Sequence, residues 1–166
     1  AHLKLAELHH KQAERSEALY HANSELAQRD VDEDLLVELG NLLMDMGQLA
    51  AAEAAFQRAL GVSPRNASAL HNLAVTLLLG QRIDEGIEAC KQALKIQPKY
   101  MLAMHNLALA YLTKQDYVRA SYWLREALDI APDDPQLRQL HTRLRVSRLL
   151  HKLKEYPRRL LRRSAS

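Results

Sequence analysis

The stretch ASALHNLAVTLLLGQRIDEGIEACKQALKIQPKY, from Ala67 to Tyr100, decides the fold. The same pattern of residue sizes returns 34 residues earlier, in EDLLVELGNLLMDMGQLAAAEAAFQRALGVSPRN, and 34 residues later, in MLAMHNLALAYLTKQDYVRASYWLREALDIAPDD. A fixed period of this length is typical of repeat architectures, in which stacked units share one continuous core. The sequence therefore predicts three units, at residues 33–66, 67–100 and 101–134.

Each unit has the pattern of two amphipathic helices joined by a turn. The apolar columns of the first helix, at spacings of three and four, are Leu36, Leu70 and Met104; Leu39, Leu73 and Leu107; and Leu43, Leu77 and Tyr111. Small residues beside this stripe, among them Gly40, predict that a neighbouring helix approaches closely. Pro64, Pro98 and Pro132 close the units, because proline cannot continue a helix.

This spacing resembles the tetratricopeptide-repeat (TPR) pattern W-x2-L-G-x2-Y, followed by A-x3-F, A and P, with Leu or Met in the Trp column. The resemblance covers residues 33–134. It implies an all-α fold, a right-handed superhelical solenoid of antiparallel helix pairs. It also implies a protein-protein interaction scaffold, whose first helices line an inner groove that takes a peptide or a partner helix.

The two ends of the chain depart from the pattern. Residues 1–32 keep only part of it, and predict either a divergent N-terminal repeat or one long capping helix. Residues 135–156 predict a capping helix that covers the last repeat and ends at Tyr156-Pro157, leaving residues 157–166 as a basic tail. The chain also lacks an initiator Met, which suggests a piece of a longer protein.

Partner-binding residues are expected at first-helix positions that the core columns leave open. These candidates are Val37, Asn41, Met44, His71, Asn72, Val75, Leu78, Leu102, His105, Asn106, Leu109 and Leu112. Asparagines along a groove can pair with a peptide backbone, because an amide both donates and accepts; the alternative is that they bond to neighbouring backbone. The apolar candidates favour an apolar or helical partner, unless they contact the adjacent unit instead.

A C-terminal carboxylate of the Hsp70/Hsp90 type is disfavoured as the ligand. The chaperone-binding subset of the TPR family clamps that group with two asparagines and several cations. The resemblance places Asn41 and Asn72 in the asparagine columns, but Val37, Leu102 and Asn106 stand in the cation columns. The positive charge that would hold a carboxylate is therefore missing.

The sequence predicts neither an enzyme nor a cofactor. It contains no Gly-rich phosphate loop, no metal-ligand spacing and no nucleophile elbow. His71 and His105 are expected on helices about 8–10 Å apart, too far for one zinc whose ligands lie about 2 Å away. Cys90 stands in a bulky column of a second helix and is expected to be buried.

The net charge of +3 hides an asymmetry. Residues 135–166 carry ten Lys or Arg against one acid, or +9, whereas residues 1–134 carry 13 against 19, or −6. The basic surface consists of Arg138, Arg143, Arg145, Arg148, Lys152, Lys154, Arg158, Arg159, Arg162 and Arg163.

Three interpretations of this basic segment and of the groove stay open besides the peptide-binding scaffold. The segment is either a solvated cap or an adaptor surface for anionic membrane or nucleic acid. The groove could alternatively accept the N-terminal segment of another copy, which would make a self-assembling homo-oligomer. The single cysteine and the lack of an apolar run of about 18 residues favour a cytoplasmic location, with peripheral membrane attachment as the alternative.

Overall fold

The computed structural model describes residues 20–22, 24, 26 and 32–163, with side chains up to Lys154. Tyr20, His21, Ala22, Ser24 and Leu26 are helical. The choice between a divergent repeat and a capping helix at residues 1–32 lies largely outside the described residues.

Within these ranges all the regular structure is helical, which confirms the all-α prediction. The helices are α1 (Glu33–Asp45), α2 (Leu49–Val62), α3 (Ala67–Leu79), α4 (Ile83–Ile96), α5 (Met101–Thr113), α6 (Tyr117–Ile130) and α7 (Pro135–Arg163). The first helix of each pair has 13 residues and the second has 14, so one helix pair recurs three times. The chain divides into two compact units, residues 1–100 (unit 1) and 101–166 (unit 2).

Unit 1 is built on close contact between the helices of a pair. Phe56 of α2 is fully buried, in a cluster with Leu39 and Leu43 of α1. Gly40 lies directly against its ring, because a Cβ added at that residue would lie 2.5 Å from Cε1 of Phe56. The absence of a side chain at Gly40 thus lets α2 approach α1 closely, as the sequence pattern predicts.

The turn inside each pair has one backbone geometry. Gly47, Gln81 and Gln115 all adopt positive φ, at 76°, 62° and 59°. The next N–H donates back across the turn, from Gln48 to the Leu43 carbonyl at 2.8 Å and from Arg82 to the Leu77 carbonyl at 2.9 Å. This is the Schellman bond that ends a helix on a left-handed residue.

Unit 2 consists of α5, α6 and α7, and α7 contacts both of the other helices. Leu137, Leu140 and Leu144 of α7 are buried, whereas Leu150 and Leu153 are more than half exposed. The row of leucines on α7 is therefore buried only in the first half of the helix.

Two predictions about the C-terminal segment were wrong. The capping helix does not end at Tyr156-Pro157, and residues 157–163 are not a separate tail, because α7 continues to Arg163. A proline inside a helix removes one backbone N–H and its ring crowds the carbonyl four residues earlier, which together cost about 3 kcal/mol. The helix nevertheless includes Pro157, and the Leu and Arg residues that follow it are good helix formers.

Candidate partner-binding grooves

The groove candidates of unit 1 lie on α1 and α3, which are in contact with each other. All seven are half-buried: Val37, Asn41, Met44, His71, Asn72, Val75 and Leu78. They are therefore neither core residues nor fully solvated, as expected for side chains that a partner could cover. We call this set the α1–α3 groove.

Two of the predicted asparagines meet in this groove. The Asn72 side-chain amide donates to the Asn41 Oδ1 at 2.9 Å. Among the described residues, no hydrogen bond is formed by the Asn41 NH2 or the Asn72 Oδ1. The asparagines thus pair side chain to side chain, and the open donor and acceptor are available to a peptide backbone.

Thr76 supports this pair and was missed at the level of sequence. Its hydroxyl is buried, donates to the Asn72 backbone carbonyl at 2.8 Å and lies 3.5 Å from the Met44 sulfur. The sequence does distinguish Thr76, because the equivalent positions of the other two units carry the apolar residues Leu42 and Ala110.

The remaining candidates of unit 1 have contacts within that unit. The His71 ring lies 5.2 Å from the Tyr100 ring, centroid to centroid. Leu78 packs against Gly86 of α4, where an added Cβ would lie 2.7 Å from the leucine Cγ. Leu78 therefore contacts the second helix of its own pair, and only part of its surface faces the groove.

Unit 2 holds the other five candidates on α5. Leu102 is exposed, and His105, Asn106 and Leu109 are half-buried. Leu112, predicted to be open to a partner, is only 7% exposed. It lines a cleft with Ser147 and Leu150 of α7, and little of its side chain is left for a partner to cover.

The environment of His105, a groove residue of unit 2, lowers its pKa. Burial lowers the pKa of the imidazole, and this effect is opposed by the charge of Asp134 and a hydrogen bond with Asn106. The neutral ring is therefore favoured, and it can either donate or accept a hydrogen bond.

The predicted basic surface divides into three groups. Arg138 is ion-paired with Asp133 and donates to the Pro132 carbonyl at 3.1 Å. A second group is exposed and has no carboxylate partner among the described residues: Arg143, Arg145, Arg148, Lys152 and Lys154. The third group belongs to the part of α7 whose side chains are not described: Arg158, Arg159, Arg162 and Arg163.

The described residues were also expected to lack a metal site and a reactive thiol. No group of three or more His, Cys, Asp or Glu side chains there could hold a metal ion. Cys90 is buried, as predicted, and burial raises the pKa of its thiol to about 12. The described helices include none long and apolar enough to cross a bilayer.

Known structures share this architecture at low sequence identity. YrrB, described as a TPR protein with an unusual peptide-binding site, superposes with a TM-score of 0.72 at 21% identity, over 82% of this chain and 71% of YrrB. The first TPR of Spaghetti, bound to an HSP90 peptide, gives 0.63 at 19% identity, over 68% and 93%. A tetratricopeptide repeat protein from Parabacteroides merdae gives 0.74 at 19%, over 93% and 62%. These likenesses show the fold alone.

The sequence itself identifies the family. No curated protein matches the chain. Two tetratricopeptide-repeat family models do match, one over residues 37–100 and the other over residues 77–144. Together they span more than half of the 166 residues and all three helix pairs, and the chain therefore belongs to the tetratricopeptide-repeat family, whose all-α fold serves as a scaffold for protein-protein interaction.

Proposed function

We propose that this chain is a non-catalytic scaffold that holds a helix or an extended segment of a partner protein in the α1–α3 groove. The observation that carries the proposal is the Asn41–Asn72 pair, held at 2.9 Å on a half-buried surface. An amide pair with one open donor and one open acceptor can bind main-chain groups of any sequence. It therefore orients a partner without selecting its residues.

Apolar side chains beside the amides would supply the affinity. Val37, Met44 and Val75 are half-buried, so a partner can remove their remaining surface from water. Burial of apolar surface contributes about 25 cal/mol per Å², and methionine adapts to partners of different shape. These properties fit the apolar side of a partner helix.

The related structures support a peptide or protein ligand in general. YrrB has a peptide-binding site and the Spaghetti domain was solved with an HSP90 peptide. A C-terminal carboxylate of the chaperone type remains disfavoured for this chain, because Val37 and Leu102 stand in columns where that subset of the family carries cations.

The experiment compares two Val→Glu variants by affinity purification from the native cell. Val75→Glu places a charge in the α1–α3 groove, and Val62→Glu places the same charge at an exposed position on α2. Circular dichroism first establishes that both variants are folded. Val75→Glu should lose partners that Val62→Glu retains. Equal recovery of partners with both variants would show that the α1–α3 groove does not bind them.

The role of the amides is tested separately. Asn41→Ala/Asn72→Ala removes the pair and leaves the apolar surface in place. We expect weaker recovery of the same partners, by about tenfold, since two hydrogen bonds of about 0.5–1.5 kcal/mol each are lost. Unchanged recovery would show that apolar contact alone holds the partner.

A further inference from the structure

In unit 2, α7 and α5 form the two walls of a groove. Leu109 on α5 and Leu140 on α7 line a cleft of about 740 Å³. Arg143 belongs to this cleft and also to a neighbouring one of about 280 Å³, which Leu150 and Lys154 line further along α7. Because the two clefts share Arg143, we treat them as one feature, the α5–α7 groove.

The rim of the α5–α7 groove is cationic. Arg143 and Lys154 are exposed, and neither has a carboxylate partner within the described part of the chain. Neither cleft is lined by Asp or Glu. Asp134 lies near one end, but its Oδ1 already accepts from the N–H groups of Gln136 and Leu137 at 2.9 Å each. The linings of the two clefts therefore carry two cations, Arg143 and Lys154, and no carboxylate, while Asp134 places one negative charge near one end.

The floor of the α5–α7 groove is apolar. Leu109 is half-buried, and Leu150 is 52% exposed although it lies in a cleft. A flat bilayer would not follow a concave surface down to Leu109. Proteins that bind single-stranded nucleic acid stack its bases on aromatic side chains. The one tyrosine that lines the groove, Tyr117, already packs against His151, with the two ring centroids 5.3 Å apart.

We propose that the α5–α7 groove binds an acidic amphipathic segment of a partner protein. Its apolar residues would cover Leu109 and Leu150, and its carboxylates would pair with Arg143 and Lys154. The inference rests on the proposed scaffold function and adds the charge of the partner. It also gives α7 a second role, as a wall of the binding site besides a cover for α5 and α6.

The same helix provides a matched control. Arg145 and Arg148 are also exposed and without a carboxylate partner among the described residues, but they line a different cleft, which α7 forms with Leu124 and Leu128 of α6. Arg143→Gln/Lys154→Gln and Arg145→Gln/Arg148→Gln therefore remove the same charge from two sides of one helix. General electrostatic attraction would respond equally to both pairs, whereas a specific groove responds only to the first.

The test selects binders from a random peptide display library on the full chain and measures their affinity by fluorescence anisotropy. The selected peptides should combine Asp or Glu with apolar residues at helical spacing. Arg143→Gln/Lys154→Gln should weaken their binding about tenfold, since two exposed charge pairs contribute a factor of about three each. Arg145→Gln/Arg148→Gln should change it less than twofold.

Several results would overturn the inference. Selected peptides without acidic residues, or equal loss with the two double variants, would exclude a charge-selective groove. So would vesicles of anionic phospholipid, or single-stranded RNA, that bind the chain and respond to Arg143→Gln/Lys154→Gln while the acidic peptides do not. Val75→Glu separates the two proposals, because it alters the α1–α3 groove and should leave the affinity for the acidic peptides unchanged.

Discussion

Gly40 offers the sharpest test of how these helix pairs are packed. A methyl group added at this position would lie 2.5, 2.7 and 2.8 Å from Cε1, Cζ and Cδ1 of Phe56. The ring is fully buried in the cluster that includes Leu39 and Leu43, so it cannot swing into solvent. Gly40→Ala must therefore displace the ring or separate α1 from α2.

Two opposing effects set the size of the change. Alanine favours the helix over glycine by about 1 kcal/mol, whereas overpacking a core costs about 1–3 kcal/mol. Since three atoms of a rigid ring are affected, we expect the upper part of that range and a net destabilisation of about 1–2 kcal/mol. Gly61→Ala is the control, because no atom lies within 4 Å of its added Cβ; this variant should be stabilised by up to about 1 kcal/mol.

Urea unfolding followed by circular dichroism measures both variants. With a slope of about 2 kcal/mol per M, the Gly40→Ala midpoint should fall by about 0.5–1 M, and the Gly61→Ala midpoint should not fall. A Gly40→Ala midpoint at or above that of Gly61→Ala would refute the close contact between the two helices. A change in slope would indicate instead that the units no longer unfold together.

Three further predictions concern single side chains. Burial raises the pKa of the Cys90 thiol to about 12, so the thiol should resist alkylation at pH 8 until urea unfolds the chain, and equal alkylation rates in water and in urea would contradict this. Compared with Cys90→Ala, the stability that Cys90 contributes should be complete below an unfolded pKa of about 8.5 and should decline above it. Burial lowers the pKa of His105, so this residue contributes stability above an unfolded pKa of about 6.5, and that stability is lost as the pH falls. His105→Gln should therefore flatten the acid side of the plot of stability against pH, and an unchanged plot would exclude the effect. Asp134→Ala should lower the stability to thermal unfolding by about 1 kcal/mol, because two N–H groups at the start of α7 lose their acceptor. Asp133→Ala removes only an exposed ion pair and should lower the stability less, so equal losses would argue against an N-terminal cap.

The helix pairs could be predicted from the sequence because each depends on local spacing. Columns at three and four residues define an apolar face, and a 34-residue period then repeats it, so α1 to α6 follow from periodicity. The contact between Gly40 and Phe56 was also foreseeable, since a small column in one helix pairs with a bulky column in the next.

Other features depend on how helices are rotated and positioned, which periodicity does not determine. The bond between Asn41 and Asn72 needs the side-chain directions of two separate helices. The burial of Leu112, which lies in the cleft beside α7, depends on the position of that helix. Neither the bond nor the burial was predicted. Pro157 failed as a stop signal: α7 continues through it although an interior proline costs a helix about 3 kcal/mol, so the proline alone did not determine where the helix ends.

The turn shared by the three helix pairs has a consequence for how such chains can diverge. Its bonds join main-chain atoms, and its left-handed position is occupied once by Gly47 and twice by glutamine, at Gln81 and Gln115. A left-handed conformation costs a non-glycine residue roughly 1–2 kcal/mol, a penalty that the flanking helices tolerate here. The turn therefore rests on main-chain bonds and accepts either glycine or glutamine at its left-handed position, so its exposed side chains can change while those bonds stay in place. This freedom is consistent with an architecture shared by chains that have only about a fifth of their residues in common.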